Sequence, residues 1–389
     1  MAVKKWVFIL FAVLLLSSML VPLSHASAAK SKPTAVSVSA VNAVLMEQKS
    51  GRVLFEKKAH ERKRIASITK IMTAILAIES GKMNDSVKVS EAASRAEGSS
   101  LYLKPGQKMK LEDLVYGLML RSGNDAATAI AEYIGGSIEG FAVLMNQKAE
   151  ELGMEDSSFS NPHGLDNTEK HYSSAYDMAL LTRYAMANPS YAKIASTKNH
   201  RAPNPNEAWD YSWKNKNKLL TMYRYSTGGK TGFTKLARRT LVSTANKDGM
   251  DLIAVTLNDG DDWKDHMNLF DYGFKHYTLT RMVSKGYIKG ISSAYYKKKV
   301  VYKQPFYYPL TADEQERTSI DIKLLKPRKD WSKEGQMPSI VGKATLELNG
   351  EPIGTRNIFY RGLERHKKTS FLEEWGKTFL MILDLKRNG

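Results

Sequence analysis

Two stretches of strand patterning bracket a long run of helical patterning, and this bracket limits the possible folds. Ala43 to Gln48 is rich in aliphatic residues, Lys49-Ser50-Gly51 reads as a turn, and Arg52 to Lys57 as a second strand. Far downstream, Thr240 to Ala245 and Leu252 to Leu257 flank a turn containing Asp248-Gly249, a second hairpin. Between them lie segments of helical spacing. Ile68, Ile71, Met72, Ile75 and Ile78 run from Ser67 to a stop at Gly81, which puts Ser67 at a helix N-terminus. Further helices are expected at Leu111 to Leu120, Ala126 to Ile134, Phe141 to Leu152, and after Ser174, whose hydroxyl suits a cap. A last helix, Trp263 to Asp271, is expected to close at Gly273. Hairpins build antiparallel sheet. The pattern therefore predicts an α/β (α+β) domain over about 36–278, with strands contributed from both ends of the segment.

From about Val283 the texture changes. Tyr295-Tyr296, Val300 to Tyr302, Phe306 to Tyr308, Ile320 to Leu325 and Ala344 to Leu348 are short β-branched and aromatic runs separated by Gly or Pro. They predict a small β-rich domain over 283–365. Beyond it, residues 369–387 carry Phe371, Leu372, Trp375, Phe379, Ile382 and Leu383 near helical spacing. This is an amphipathic helix too interrupted to span a bilayer, suited to lie on a membrane surface.

The N-terminal residues read as a secretory signal. Lys4 and Lys5 precede an apolar run from Trp6 to Leu23, and Ala26-Ser27-Ala28 is a small-x-small cleavage pattern. Residues 1–28 are thus expected to be a signal peptide and the protein to be exported, either peripheral to the extracytoplasmic face of the cell membrane or secreted. The 389 residues contain no cysteine, so neither disulfides nor cysteine metal sites are expected. The eight histidines show no paired ligand spacing, and no metal or cofactor is anticipated. His163, within Asn161-Pro162-His163-Gly164-Leu165, reads as a turn residue. A net charge of +18 favours anionic partners. For an exported protein these are the membrane surface and anionic wall polymer, not nucleic acid.

Three short clusters carry the chemistry. In Ser67-Ile68-Thr69-Lys70, Lys70 falls one helical turn from Ser67 and could take its proton if its amine were neutral. Desolvation and a second cation, with Lys230 the candidate, would lower its pKa. In Ser122-Gly123-Asn124, between two helices, the Ser122 hydroxyl could relay a proton and the Asn124 amide could hold a substrate backbone. In Lys230-Thr231-Gly232, at the start of an expected strand, Lys230 and Thr231 could hold a carboxylate, while Gly232 admits an extended peptide. The N–H groups of Ser67 and Phe233 are candidates for an oxyanion hole.

Taken together and in this order, the clusters match the signature of the penicillin-interacting serine enzymes. The chain resembles the low-molecular-weight penicillin-binding proteins that are D-alanyl-D-alanine carboxypeptidases. The resemblance is carried by Ile65 to Thr73, Leu120 to Ala126, Gly229 to Phe233, Asn161 to Leu165 and Asp271 to Phe274, and it is similar to sporulation-associated Gram-positive members. It implies a five-stranded antiparallel sheet flanked by helices, a β-rich C-terminal domain and a terminal amphipathic anchor. It further implies that Ser67 attacks the bond between the last two D-alanines of a peptidoglycan stem peptide, with Lys70 as base and Ser122 assisting, and that β-lactams acylate Ser67.

One segment departs from the family pattern. Relatives often carry an arginine before the Asp-Tyr-Gly-Phe segment that helps bind the substrate carboxylate, whereas here that segment is the acidic Asp259-Gly260-Asp261-Asp262-Trp263-Lys264. Carboxylate binding is then expected to rest on Lys230 and Thr231, with Lys264 or Arg238 as further candidates. Two alternatives fit less well. A class A β-lactamase needs a deacylating glutamate between Asn124 and Lys230 in a context this chain lacks. A non-catalytic wall-binding protein would show an eroded motif, and none is eroded.

Overall fold

A computed structural model describes residues 36–332 and 337–361. The expected signal peptide and the expected helix at 369–387 both lie outside these residues.

The first hairpin forms as β1 (Asn42–Glu47) and β2 (Val53–Lys57). The longer helices that follow are α1 (Lys70–Glu79), α2 (Leu111–Arg121), α3 (Asn124–Gly135), α4 (Ile138–Glu151) and α5 (Ala175–Met186), with shorter ones at Glu91–Ser94, Pro189–Ser196 and Leu219–Met222. Strands β3 (Ser226–Thr234), β4 (Arg238–Lys247) and β5 (Met250–Asp259) then precede α6 (Asp262–His276). The five strands form one antiparallel sheet in the order β2-β1-β5-β4-β3. The N-terminal hairpin and the later strands meet at the β1–β5 pair, where Val44 faces Val255.

Every residue of β1 is buried, because both faces of the sheet are covered. Val44 and Met46 join the core formed with Ile71, Met72 and Ile75 of α1, whereas Ala43 and Leu45 face Leu269 and Phe270 of α6. The two-residue turn between β4 and β5 puts Asp248 and Gly249 at φ +51° and +82°, which suits its Asp-Gly sequence. Ser174 caps α5 as expected, its Oγ accepting from the Asp177 N–H at 3.0 Å. Helix α6, by contrast, does not close at Gly273 but runs through it to His276. A Cβ at Gly273 would lie 2.7 Å from Leu252 and 3.0 Å from Leu45, so glycine here permits close helix–sheet packing.

The C-terminal part is β-rich. Strand β6 (Thr278–Val283) pairs with β9 (Phe306–Leu310). A second five-stranded sheet contains β7 (Gly286–Tyr287), β8 (Val300–Tyr302), β10 (Thr318–Leu324), β11 (Ile340–Leu348) and β12 (Glu351–Tyr360), in the order β7-β8-β12-β11-β10. Its core gathers Tyr296, Val300, Val341 and Ile358. The expected strand at Tyr295-Tyr296 is instead a turn, where the Tyr296 N–H donates to the Ser293 carbonyl. Sequence patterning also missed β12, whose Pro352 and Gly354 resemble turn residues. Gly354 is needed inside the strand, because a Cβ there would come within 2.5 Å of the Phe306 ring.

Candidate active site

The first cluster lies at the junction of a short 3-10 turn and a helix. Ala66 to Thr69 form the turn and Lys70 begins α1, so Ser67 precedes the helix proper rather than opening it. Ala66 takes φ +48°, uncommon for a residue with a side chain, and thereby turns the chain immediately before Ser67. Two neighbours hold this conformation. Thr69 Oγ1 donates to the Ala66 carbonyl at 2.8 Å. Gly164, at φ +85°, packs so closely that a Cβ would lie 1.9 Å from the same carbonyl oxygen.

Lys70 is wholly buried, with Nζ 2.9 Å from Ser67 Oγ, 2.7 Å from Asn124 Oδ1 and 2.8 Å from the His163 carbonyl. The last two oxygens accept only. A neutral amine has two N–H groups and one lone pair. Its N–H groups can satisfy Asn124 and His163, leaving the lone pair facing the Ser67 hydroxyl. Burial, followed by the charges of Lys230 and Lys216, holds Lys70 well below the usual lysine range, with Asp125 acting against them.

The second cluster sits at the α2–α3 joint. Ser122 ends α2 in a left-handed conformation at φ +66°, Gly123 forms the joint, and Asn124 begins α3. These are capping positions, yet they also aim Ser122 and Asn124 at the other two clusters. Lys230 Nζ donates to Ser122 Oγ at 3.2 Å and to the Thr231 carbonyl at 2.7 Å. Lys230 is buried, and burial together with Lys216 pushes it down to about 7.

The third cluster lies within β3 rather than at its start. Gly232 faces the turn that carries Ser67. A Cβ there would fall 2.9 Å from the Ser67 nitrogen and 2.3 Å from Thr240 Oγ1. Its lack of a side chain thus lets the sheet edge approach Ser67. Phe233 is 62% exposed beside it, which leaves the ring available to a ligand.

A cavity of about 310 Å³ joins these parts, lined by Ser67, Ser99, Ser122, Lys216, Thr231, Gly232, Phe233, Arg239, Asp262 and Trp263. Several residues in and behind this cavity escaped sequence reasoning. Asp125, next to Asn124, accepts from the Leu101 and Leu103 N–H groups and from Ser100 Oγ, and so shapes the chain that carries Ser99. Lys216 Nζ donates to Ser99 Oγ at 3.3 Å. Arg239 lines the cavity where Arg238 and Lys264, the expected candidates, do not. Arg238 instead occupies the β3–β4 turn at φ +61°, exposed and opposite Thr234. The adjacent positions Arg238-Arg239 gave no sequence signal as to which one turns inward. His163 is a buried turn residue: its carbonyl serves Lys70, and burial, then Lys70 and His171, push its ring down to about 3.

The sheet, the helices and this cavity define a serine acyl-transfer architecture of the penicillin-binding type. A model of the D-alanyl-D-alanine carboxypeptidase family, peptidase S11, matches residues 27–261, and one of the penicillin-binding protein 5 C-terminal domain matches residues 277–362. The chain belongs to this D-alanyl-D-alanine carboxypeptidase family. It is 39% identical over 256 residues to D-alanyl-D-alanine carboxypeptidase DacF of Bacillus subtilis, a match covering 63% of this chain and 65% of that one. It is 28% identical to D-alanyl-D-alanine carboxypeptidase DacA of Haemophilus influenzae, over 82% of this chain and 84% of that one. The crystal structure of penicillin-binding protein 5 from Haemophilus influenzae is similar with a TM-score of 0.68 and 25% identity, over 84% of this chain and 98% of that one.

Proposed function

We propose that this protein is a serine-type D-alanyl-D-alanine carboxypeptidase, acting on peptidoglycan stem peptides through an acyl-enzyme on Ser67. The observation that carries this reading is the three-point environment of the Lys70 amine: two fixed acceptors and the Ser67 hydroxyl. In the proposed reaction neutral Lys70 takes the Ser67 proton as Oγ attacks the carbonyl of the penultimate D-alanine. The N–H groups of Ser67 and Phe233 stabilise the oxyanion. The proton reaches the departing amine of the terminal D-alanine, assisted by Ser122, which Lys230 orients. Water then hydrolyses the ester. β-Lactams acylate the same serine. Asn124 and Thr231 hold the substrate on either side of Ser67.

The proposal extends to location. A signal peptide at 1–28, the catalytic part at 36–278, the β-rich part at 283–365 and a membrane-associating helix at 369–387 would place the site at the extracytoplasmic face of the cell membrane, facing the wall, and the similarity to sporulation-associated members supports a part in sporulation. Among the described residues no helix is long and apolar enough to cross a membrane.

The test is incubation of the full chain with a fluorescent penicillin and, separately, with a peptide ending in D-Ala-D-Ala. Covalent labelling and D-alanine release are both expected, and both vanish in Ser67→Ala. Labelling that persists in Ser67→Ala refutes the nucleophile. Labelling of the unaltered protein without D-alanine release favours a non-catalytic wall-binding protein.

A further inference from the structure

The leaving group of the proposed reaction is one residue long. Its carboxylate therefore lies within one residue's reach, about 4 Å of chain, of the bond that Ser67 attacks. Whatever holds that carboxylate must line the same cavity. Three cations stand close enough to matter. Lys230 is buried beneath Thr231 and its Nζ is engaged with Ser122 Oγ and the Thr231 carbonyl. Lys216 is engaged with Ser99, on the wall that also carries Ser122. Arg239 lines the cavity from β4, directly across from Phe233 of β3 in the strand register, with 43% of its side chain exposed.

Arg239 is held in a fixed pose. Its Nη2 contacts Asp262 Oδ1 at 2.5 Å, and its guanidinium carbon stands 5.7 Å from the centre of the Trp263 ring. Asp262 is nearly enclosed, with 4% of its side chain exposed. It sits in the acidic segment where the family resemblance implies that relatives often carry an arginine. A guanidinium has five N–H groups in a planar fork that fits a carboxylate. Asp262 engages one nitrogen of the fork, and the residue itself lines the cavity.

We propose that Arg239 anchors the terminal carboxylate of the substrate, with Asp262 and Trp263 as positioning residues, so that the cation has moved from the helix to the neighbouring strand. The acidic segment is then not a gap in the carboxylate site but the support of a relocated one. This inference rests on the carboxypeptidase reading above.

The test compares a peptide ending in D-Ala-D-Ala with its C-terminal carboxamide, using the full chain. The unaltered protein prefers the free carboxylate. In Arg239→Gln the KM for the carboxylate peptide rises about ten- to a hundredfold, the worth of a charge-assisted pair, while the carboxamide peptide is little affected and the preference collapses. The double variant Arg239→Asp, Asp262→Arg returns the cation to the helix and regains the preference. Saturating fluorescent penicillin still labels Ser67 one-to-one in both variants, which separates a lost anchor from a lost fold. Equal losses on both peptides, or an unchanged preference in Arg239→Gln, overturn the assignment. Absence of D-alanine release by the unaltered protein overturns the carboxypeptidase reading instead.

Discussion

At one end of the cavity, Lys70 and Lys230 are sealed from solvent, and each amine has its partners within hydrogen-bond distance. At the other end, Arg239 is partly open to solvent, stacked on Trp263 and tethered to Asp262 by one nitrogen. The difference is one of chemistry. A lysine used as a base must lose its proton, and burial disfavours its charged form. A guanidinium used as an anchor keeps its charge anywhere and needs only to be aimed. In the proposed reaction the closed end would serve proton transfer and the open end would hold the substrate.

The largest test of this contrast falls on the closed end. Ser67→Ala should lower D-alanine release by about a thousandfold or more, with no covalent penicillin adduct in a mass spectrum. Trp263→Leu, at the open end, should leave that adduct intact.

Next comes the turn that carries Ser67. Gly164→Ala drives a methyl group into the Ala66 carbonyl at a position of φ +85°. Thermal unfolding should show a loss of about 2–4 kcal/mol, with slower acylation by penicillin, because the displaced turn carries Ser67, the proposed nucleophile.

The third test uses pH. The charge of Lys216 lowers both Lys70 and Lys230. Removing it in Lys216→Gln raises both, so Lys70 remains protonated to higher pH. Acylation requires the neutral amine, and the acid limb of the acylation rate should therefore move to higher pH. Lys216→Arg keeps the charge and should leave that limb in place. A limb that stays put in Lys216→Gln would show that proton transfer at the closed end is not governed by these charges.

The smallest effect is expected from Trp263→Leu. Loss of the ring beside Arg239 should raise the KM for a D-Ala-D-Ala peptide by about two- to fivefold, as exposed cation–π contacts are worth under ~1 kcal/mol. An unchanged KM would remove Trp263 from the open end.

The same contrast explains what could be read from the sequence. The closed end is written in short local patterns: Ser67 and Lys70 one turn apart, Ser122 and Asn124 at a joint, Lys230 to Gly232 along a strand. Local geometry fixes such spacings. The open end depends on register between strands and on how a helix leaves the sheet. Arg239 enters the cavity because it lies across from Phe233, whereas Arg238, one residue away, pairs with Thr234 and stays in solvent. A single-residue change of register exchanges the two, and neither residue type reveals it. The fold divides similarly. Asp248-Gly249 and Lys49-Ser50-Gly51 marked both hairpins because turn chemistry is local. Gly273 reads as a terminator but lies inside its helix, and Gly354 lies inside β12, because each admits a distant side chain.

The cavity beside Ser67 holds about 310 Å³, room for on the order of ten waters. In the proposed reaction a freed D-alanine diffuses out and returns that volume to solvent. An opened β-lactam ring cannot do so, since its amine stays joined to the acyl group. The space from which a hydrolytic water must approach is then occupied by the inhibitor itself. In that reading the lifetime of the adduct is a matter of crowding: Thr231, Arg239 and Trp263 line this space, and reshaping them is expected to change the duration of inhibition without touching the serine.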